Sequence, residues 1–544
     1  MDQEQTRDRK SSAFQPLWIG LMLIVGIYIG TNLNTGNVFE QREHADENPG
    51  KLVNIINYIE DNYVDSVEKK DLIETAITAM LEKLDPHSYY ISPEELAAMQ
   101  EPLEGNFEGI GVEFMIQKDT LMVVTPIQGG PSEEAGIQPG DRIVEVDGEV
   151  IAGKELTNTQ VMELLKGPKG TEVALGIKRK GKSELIVFNI TRDKIPIESV
   201  VASFMIDDNT GYVKVTRFAK TTYDDFVTAV DKLKNQGITK LVLDLRGNGG
   251  GYLNTAIPMV ESFLKKNQLI VYTEGIHSPR RDYASNYDGE YSNIELVVLI
   301  NQGSASASEI MAGALQDHDR AITVGRRSFG KGLVQDEIDL RDNSALRLTV
   351  ARYYTPSGRC IQKPYGDGID YDNDYEFRYD NGELLTADSI HLQDSMIYRT
   401  TGGRIVYGGG GIMPDIFVPI DTSGVSMYLS ELSYNGIFRQ FGFKYADVNR
   451  QNLQYSDVND YLKSFVVSKE MLKEFVNFAA QEGVPVEEFG LNASGRHIKQ
   501  RLKAHLAKNI FDDNAFYRVL LEDDTDFVAG MKAFSQRQIL SATP

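Results

Sequence analysis

The spacing of hydrophobic positions changes several times along this chain, and each change predicts a different kind of element. Leu17 to Leu33 runs for 17 residues without a charge, which is at the short end of what spans a bilayer. From Lys51 to about Glu101 apolar residues recur every three or four positions: Leu52, Ile55, Ile56, Ile59 and Tyr63, then Ile73, Ile77, Met80 and Leu81. That periodicity predicts amphipathic helices. Pro86 stops the second of them, and Ser92-Pro-Glu-Glu offers a cap for another. Between about 105 and 195 the pattern alternates, most clearly in Glu172 to Thr191, with Asp147-Gly148 as a hairpin turn and Val161, Leu164 and Leu165 marking a short helix. Three compact apolar runs follow, Leu241–Leu245, Glu295–Ile300 and Ala321–Gly325, and they predict buried strands; Leu346 to Tyr354 reads as one more. From about Gly424 to Leu540 helical spacing returns, with cues such as Met471, Leu472, Phe475, Phe478 and Ala479.

These segments predict a multidomain α+β protein. The expected parts are a cytoplasmic tail (1–16), a transmembrane anchor (17–33), an N-terminal helical region (48–103), a β-rich module (105–195), an α/β core (196–420) and a helical C-terminal region (424–540). At 544 residues the chain is long enough for about three or four domains. Arg7, Arg9 and Lys10 precede the first apolar run and the next cation is Arg42, which orients the amino terminus to the cytoplasm. With no small-x-small site after the run, the segment is expected to stay as a single-pass anchor. A formal net charge of −23 argues against nucleic acid as a partner. The single cysteine, Cys360, excludes an intrachain disulfide and has no nearby histidine, so it reads as an incidental thiol.

The chemistry concentrates around Ser304-Ala-Ser306-Ala-Ser308-Glu309. It follows the run Glu295–Ile300 and precedes a helical stretch from Ser308 to Gln316. A serine held between a strand's end and a helix's start meets backbone N–H groups that point outward unpaired. Lys331, in Phe329-Gly330-Lys331-Gly332, comes 25 residues after Ser306, just beyond the next apolar run. Serine and lysine form a catalytic pair without histidine when the lysine is desolvated enough to lose its proton. Upstream, Arg246-Gly-Asn-Gly-Gly-Gly251 is a backbone that exposes N–H groups with no side chains in the way, as an oxyanion hole requires.

Competing motifs fail at specific positions. A dinucleotide loop in the same glycines has Tyr252 where its third glycine belongs, and a phosphate loop from Gly325 to Lys331 has Gly332 in place of the magnesium-binding hydroxyl. Asp370-x-Asp372-x-Asp374 has the start of a calcium loop, but Tyr375 and Asn381 replace its glycine and glutamate. No metal and no cofactor are therefore expected. His87, beside a helix-breaking proline, reads as structural.

From about Lys51 to about Pro419 these residues resemble the carboxyl-terminal processing proteases, also called tail-specific proteases. The carrying motifs are Gly303-Ser-Ala-Ser306-Ala-Ser-Glu309, Ala314-Leu-Gln-Asp317, Phe329-Gly-Lys331-Gly-Leu-Val-Gln335 and Gly410-Gly-Ile-Met-Pro-Asp415. The resemblance implies a serine endopeptidase with Ser306 as nucleophile, Lys331 as general base and Gln335 holding the lysine amine. It implies oxyanion donors at Ala307 and at either Gly250 or Gly251. The β-rich module resembles a PDZ domain of the bacterial protease type, with Gly109-Ile110-Gly111-Val112 as the loop that takes a peptide carboxylate. Expected partners are protein or peptide substrates with free C-terminal tails and the membrane, with a homo-oligomer or an adaptor as further candidates. The expected location is the bacterial inner membrane, with the catalytic domains in the periplasm. The alternative function is a non-catalytic PDZ scaffold, against which the intact Ser306, Lys331 and Gln335 argue. Lys363 to Val406 is longer than the family has there and reads as a surface insertion.

Overall fold

The structure, a computed structural model, describes residues 50–116, 119–366, 368–390 and 396–540. The expected anchor at 17–33 lies outside the described residues; among those described, no helix is long and apolar enough to cross a membrane. The chain divides into two compact units, 1–77 and 78–544. In the first, the helix Gly50–Asn62 is followed by the start of a second at Lys69, whose amine pairs with Glu60 at 2.9 Å.

In the second unit the predicted cap at Ser92 forms in full. Glu95 N donates to Ser92 Oγ while Glu95 Oε2 accepts from the Ser92 N–H, which starts the helix Pro93–Glu104. Just before it lies β1 (Tyr89–Ile91). The β-rich module is closed at its neck by β2 (Asn106–Gly109), whose partner strand, Asp193–Pro196, comes from the module's far end. Between them run β3 (Val112–Ile116), β4 (Leu121–Pro126), β5 (Arg142–Val146), β6 (Glu149–Val150), β7 (Glu172–Lys178) and β8 (Ile186–Thr191), before β9 (Asp193–Pro196). Their sheet has the order β3-β4-β5-β7-β8, so β3 is an edge. Alternate residues such as Leu121, Val123, Val173, Leu175 and Ile177 point into one core against Val161 and Leu165 of the helix Asn158–Leu165.

The core sheet grows in chain order with two excursions. β10 (Val200–Met205) and β11 (Thr210–Val215) are antiparallel; after the helix Thr222–Lys234, β12 (Lys240–Asp244) lies parallel to β11. The chain then passes through the helix Leu253–Glu261 and leaves to build β13 (Leu269–Glu274) and β14 (Arg281–Ala284) in a second sheet. It returns as β15 (Glu295–Ile300), parallel to β12, and crosses by the helix Ala307–Asp317 to β16 (Ala321–Gly325). β17 (Leu333–Asp339) and β18 (Ala345–Tyr354) complete the second sheet, in which β18 pairs with β1, β13 and β17. The hairpin β19 (Ile397–Arg399) and β20 (Ile405–Tyr407) precedes β21 (Ile416–Phe417), which adds to β16.

The continuous apolar runs exist because this sheet is covered on both sides. Leu241, Leu243, Leu296, Val298 and Ile300 point to the face packed by the three crossover helices. Val242, Val297, Leu299, Ile322 and Val324 point to the other, which is covered by Leu521 and by Phe527, Ala533 and Phe534 of the helix Thr525–Leu540. Each such fully buried side chain contributes about 1.5–3 kcal/mol. The helical C-terminal region has its own aromatic core, with Phe438 and Phe475 stacked at 5.2 Å, and sends Phe443 onto Met115, Met122 and Val124 of the β-rich sheet.

Candidate active site

Three parallel strands, β12, β15 and β16, end at the same edge of the sheet, and the loop after each carries one of the singled-out segments. The space outside the carboxyl ends of parallel strands is where α/β sheets bind ligands.

The first loop is Arg246–Gly251. Fully buried Asn248 organises it: Nδ2 donates to Val215 O at 3.0 Å, Oδ1 accepts from Gly250 N at 2.9 Å, and its carbonyl accepts from Ala305 N and from Ser308 Oγ. The Gly250 N–H is thus used within the loop. The Gly251 N–H has no acceptor among the described residues, because Phe218 bonds to the Gly250 carbonyl and the Tyr252 N–H instead. A Cβ on Gly250 (φ +102°) would fall 2.8 Å from Ser306 Cβ and 3.0 Å from Ala307 N, and one on Gly251 would fall 2.2 Å from Phe218 O. Both positions require glycine.

In the second loop, Ser304 Oγ donates to Leu245 O at 2.8 Å. Ser306 then takes φ 54° and ψ −115°, a sparsely populated conformation that costs about 1–3 kcal/mol and persists only when its surroundings enforce it. Ala307 opens the helix, and its N–H has no acceptor among the described residues. The third loop runs from Arg326 to Lys331. Ser328 Oγ donates to Glu309 Oε1 and accepts from Ile412 N, and the Gly330 and Lys331 N–H groups also reach the Glu309 carboxylate.

Burial, and after it the Arg347 guanidinium, hold the Lys331 amine below its ordinary range, against the opposing pull of Glu309 and Asp85. Burial pushes Glu309 up to about 7 although four donors stabilise its charge. His87 is lowered to about 4 by burial and by the charge of Lys331; its Nε2 lies 2.8 Å from Tyr371 Oη. Burial raises the Cys360 thiol, which disfavours its thiolate.

Ser306, Ala307, Gly250, Gly251 and Lys331 are brought together. Gln335 does not bond the Lys331 amine: its Nε2 donates to Thr349 Oγ1 at 3.3 Å, and Thr349 Oγ1 donates to Asp85 Oδ1 at 3.0 Å. The stretch 363–406 is not confined to the surface. Fully buried Arg378 donates to the carbonyls of Arg327 and Ser328 and pairs with Glu383, which also binds Arg327. Lys363 Nζ sits 4.0 Å from the Phe329 ring centre and 3.9 Å from that of Tyr371. Asp374 is taken up by Lys363 and Arg378, and Asp370 by Asn373. Sequence reasoning passed over Asn248, Glu309 and Tyr353 as site residues. Only Glu309 left a signal, standing three residues after Ser306 at capping-box spacing.

Over 354 residues the chain is 37% identical to the carboxy-terminal-processing protease of Bartonella bacilliformis, covering 64% of this chain and 78% of that one. Over 353 residues it is 34% identical to the carboxy-terminal processing protease CtpB of Bacillus subtilis, covering 62% and 72%. The chain belongs to the carboxy-terminal processing protease family. Within it, the Peptidase family S41 model matches residues 209–375, so this member is a serine-type peptidase, and a PDZ domain model matches 122–179. The activating protease CtpB N-terminal domain matches 29–95, and a family of unknown function matches 428–512. The solved photosystem II D1 C-terminal processing protease is 28% identical, covering 68% of this chain and 92% of that one, with a TM-score of 0.35.

In this family member the segment Gly109-Ile110-Gly111-Val112, expected from the sequence to take a carboxylate, joins β2 to β3. Buried Ile110 gives its carbonyl to Ser132 N and Ser132 Oγ, and Gly111 gives its own to Ile127 N. With both carbonyls engaged inside the domain, the Gly111 N–H is left without an acceptor among the described residues. The neighbouring β3 is a sheet edge.

Proposed function

We propose that this protein is an endopeptidase that captures the C-terminal tails of protein substrates on its PDZ domain and cleaves them with Ser306 and Lys331. The observation that carries this reading is the juxtaposition at the sheet edge: a strained serine, two N–H groups without acceptors at Ala307 and Gly251, and a buried lysine whose amine is held below its ordinary range. Neutral Lys331 takes the Ser306 proton as Oγ attacks the scissile carbonyl. The Ala307 and Gly251 N–H groups hold the oxyanion, and Gly251 is favoured over Gly250 because the Gly250 N–H is already bonded to Asn248. The lysine ammonium then protonates the leaving amine, and a water activated by the same lysine hydrolyses the acyl-enzyme. Gln335 acts one step removed, steadying Thr349 and through it Asp85, whose charge raises the Lys331 pKa. Substrate tails add to the β3 edge with their carboxylate at Gly109-Ile110-Gly111-Val112. Residues 17–33 anchor the chain in a bacterial inner membrane with these domains in the periplasm, supported by the Arg7, Arg9 and Lys10 cluster ahead of the apolar run.

The test compares hydrolysis of one unstructured peptide with a free or an amidated carboxyl end. Ser306→Ala and Lys331→Ala should each abolish cleavage, and the free tail should be cut faster by the intact enzyme at subsaturating concentration. Near-normal turnover by either variant rejects the catalytic pair, and equal rates on both tails reject terminal recognition.

A further inference from the structure

Ser306 and Lys331 are joined not by a bond between their side chains but by two groups that bind their backbones. Glu309 Oε2 accepts from the Ser306 N–H and from the Lys331 N–H, each at 2.8 Å. Its other oxygen takes the Gly330 N–H at 2.7 Å and Ser328 Oγ at 2.5 Å. On the carbonyl side of the same residues, the Tyr353 hydroxyl lies 3.2 Å from Ser306 O and hydrogen-bonds Lys331 O. Both bridging residues are buried, Glu309 at 0% and Tyr353 at 2% exposure. They come from different elements, Glu309 from the helix that Ser306 starts and Tyr353 from β18. A hydroxyl has one proton, so Tyr353 donates to Lys331 O and its contact with Ser306 O is the weaker one.

We propose that Glu309 and Tyr353 are positioning residues that lock the serine loop and the lysine loop into one rigid unit, the carboxylate across their N–H groups and the phenol across their carbonyls. This inference rests on Ser306 and Lys331 being the reacting pair. Three observations support it. The strained backbone of Ser306 needs an external hold, and its N–H is bound by Glu309. A carboxylate accepting four donors is a rigid junction, since losing it would leave several buried donors unpaired. No hydrogen bond between Ser306 Oγ and Lys331 Nζ is present among the described residues to fix the pair directly. Glu309 also faces the Lys331 amine electrostatically, together with Arg347 from β18 and with Asp85 and His87 from the turn before β1; Tyr353 and Tyr371 face Glu309 and stay neutral.

The experiment measures kcat, KM, the pH profile and thermal unfolding for Tyr353→Phe, Glu309→Gln and Glu309→Asp in the full chain, beside Ser306→Ala. Tyr353→Phe should lower kcat about 10- to 100-fold with KM within about twofold and an unmoved pH limb, because a displacement of order 1 Å between reacting groups costs that much. Glu309→Gln should lower kcat at least as far and move the rising limb to lower pH, since a negative charge that raises the Lys331 pKa is gone. Glu309→Asp should bring the limb back toward that of the parent enzyme while kcat stays low, because the shorter side chain withdraws from the N–H groups. Should Glu309→Gln fail to fold, Tyr353→Phe decides. Parent-like kcat in Tyr353→Phe, or an unmoved limb in folded Glu309→Gln, overturns the positioning role when Ser306→Ala is inactive. An active Ser306→Ala overturns the catalytic pair and this inference with it.

Discussion

Tyr371 Oη lies 2.8 Å from His87 Nε2, joining residues 284 positions apart in the chain. Through this pair the insertion packs on His87, whose imidazole feels the Lys331 charge, and Arg378 fastens the insertion to the loop that precedes Lys331. Arg378→Met should lower stability by about 3 kcal/mol, because it leaves Glu383 buried with one partner fewer and two carbonyls unpaired. Turnover should fall as well, since the carbonyls it frees belong to Arg327 and Ser328. Chemical unfolding and kcat measured on the same preparation check this; loss of stability with unchanged kcat would detach the insertion from the site.

Gly250→Ala should lower stability, because the left-handed backbone and the clash must be relieved, and lose at least about 100-fold in turnover. The added Cβ would stand 2.8 Å from Ala305 O and from Ser306 Cβ and 3.0 Å from Ala307 N, so the serine loop and the Ala307 N–H must move to admit it. Labelling by a fluorophosphonate reports on this directly, and labelling at the parent rate would place the oxyanion elsewhere.

Activity should rise with pH along a limb set by Lys331, at a pH below the ordinary lysine range. The Arg347 charge helps to keep that amine neutral, so Arg347→Gln should raise the Lys331 pKa and move the limb to higher pH. A profile of kcat/KM against pH for both proteins gives the sign. A shift to lower pH, or none, would remove Arg347 from the account.

His505 stacks on Phe438, meets the Phe516 edge at 5.0 Å and has a buried Nδ1 without a hydrogen-bond partner among the described residues. Burial lowers its pKa to about 4 from the ordinary 6.5. Between those values the unfolded chain binds the proton and the folded one does not, so stability is lost as pH falls through this window. At pH 5 that share is about 2 kcal/mol. His505→Phe should therefore narrow the gap in unfolding free energy between pH 8 and pH 5, leaving the similar contribution of His87 in place. An undiminished gap in denaturant titrations at the two pH values would refute it.

Much of this architecture was legible because its causes are local. Strands buried on both faces must be apolar throughout, which is why Leu241–Leu245, Glu295–Ile300 and Ala321–Gly325 stood out. Ser92 and Glu95 announced a helix start by their spacing alone. Gln335 was expected to face Lys331, but a bulge between Val334 and Gln335 shifts the β17–β18 register and sets Gln335 opposite Thr349. No composition rule predicts a bulge. The stretch 363–406 read as surface because it is polar, yet Arg378 and Glu383 are buried by satisfying each other. A charged residue looks the same in sequence whether water or a counter-ion balances it. Asn248 and Tyr353 left no trace either, because their partners lie on loops brought together only by the folded sheet.

Arg326, which opens the lysine loop, is buried and has a single ion-pair partner among the described residues, Asp526, 200 positions later in the chain. Arg246, which opens the glycine loop, binds the same carboxylate and Asp524. The order of synthesis follows from this. A ribosome that has finished the PDZ domain, the sheet strands, Ser306 and Lys331 has still released a guanidinium with no counter-ion and a sheet with one bare apolar face. The two loops that flank Ser306 therefore reach their final charge balance, and the sheet its second cover, only after the helix that begins at Thr525 has been made.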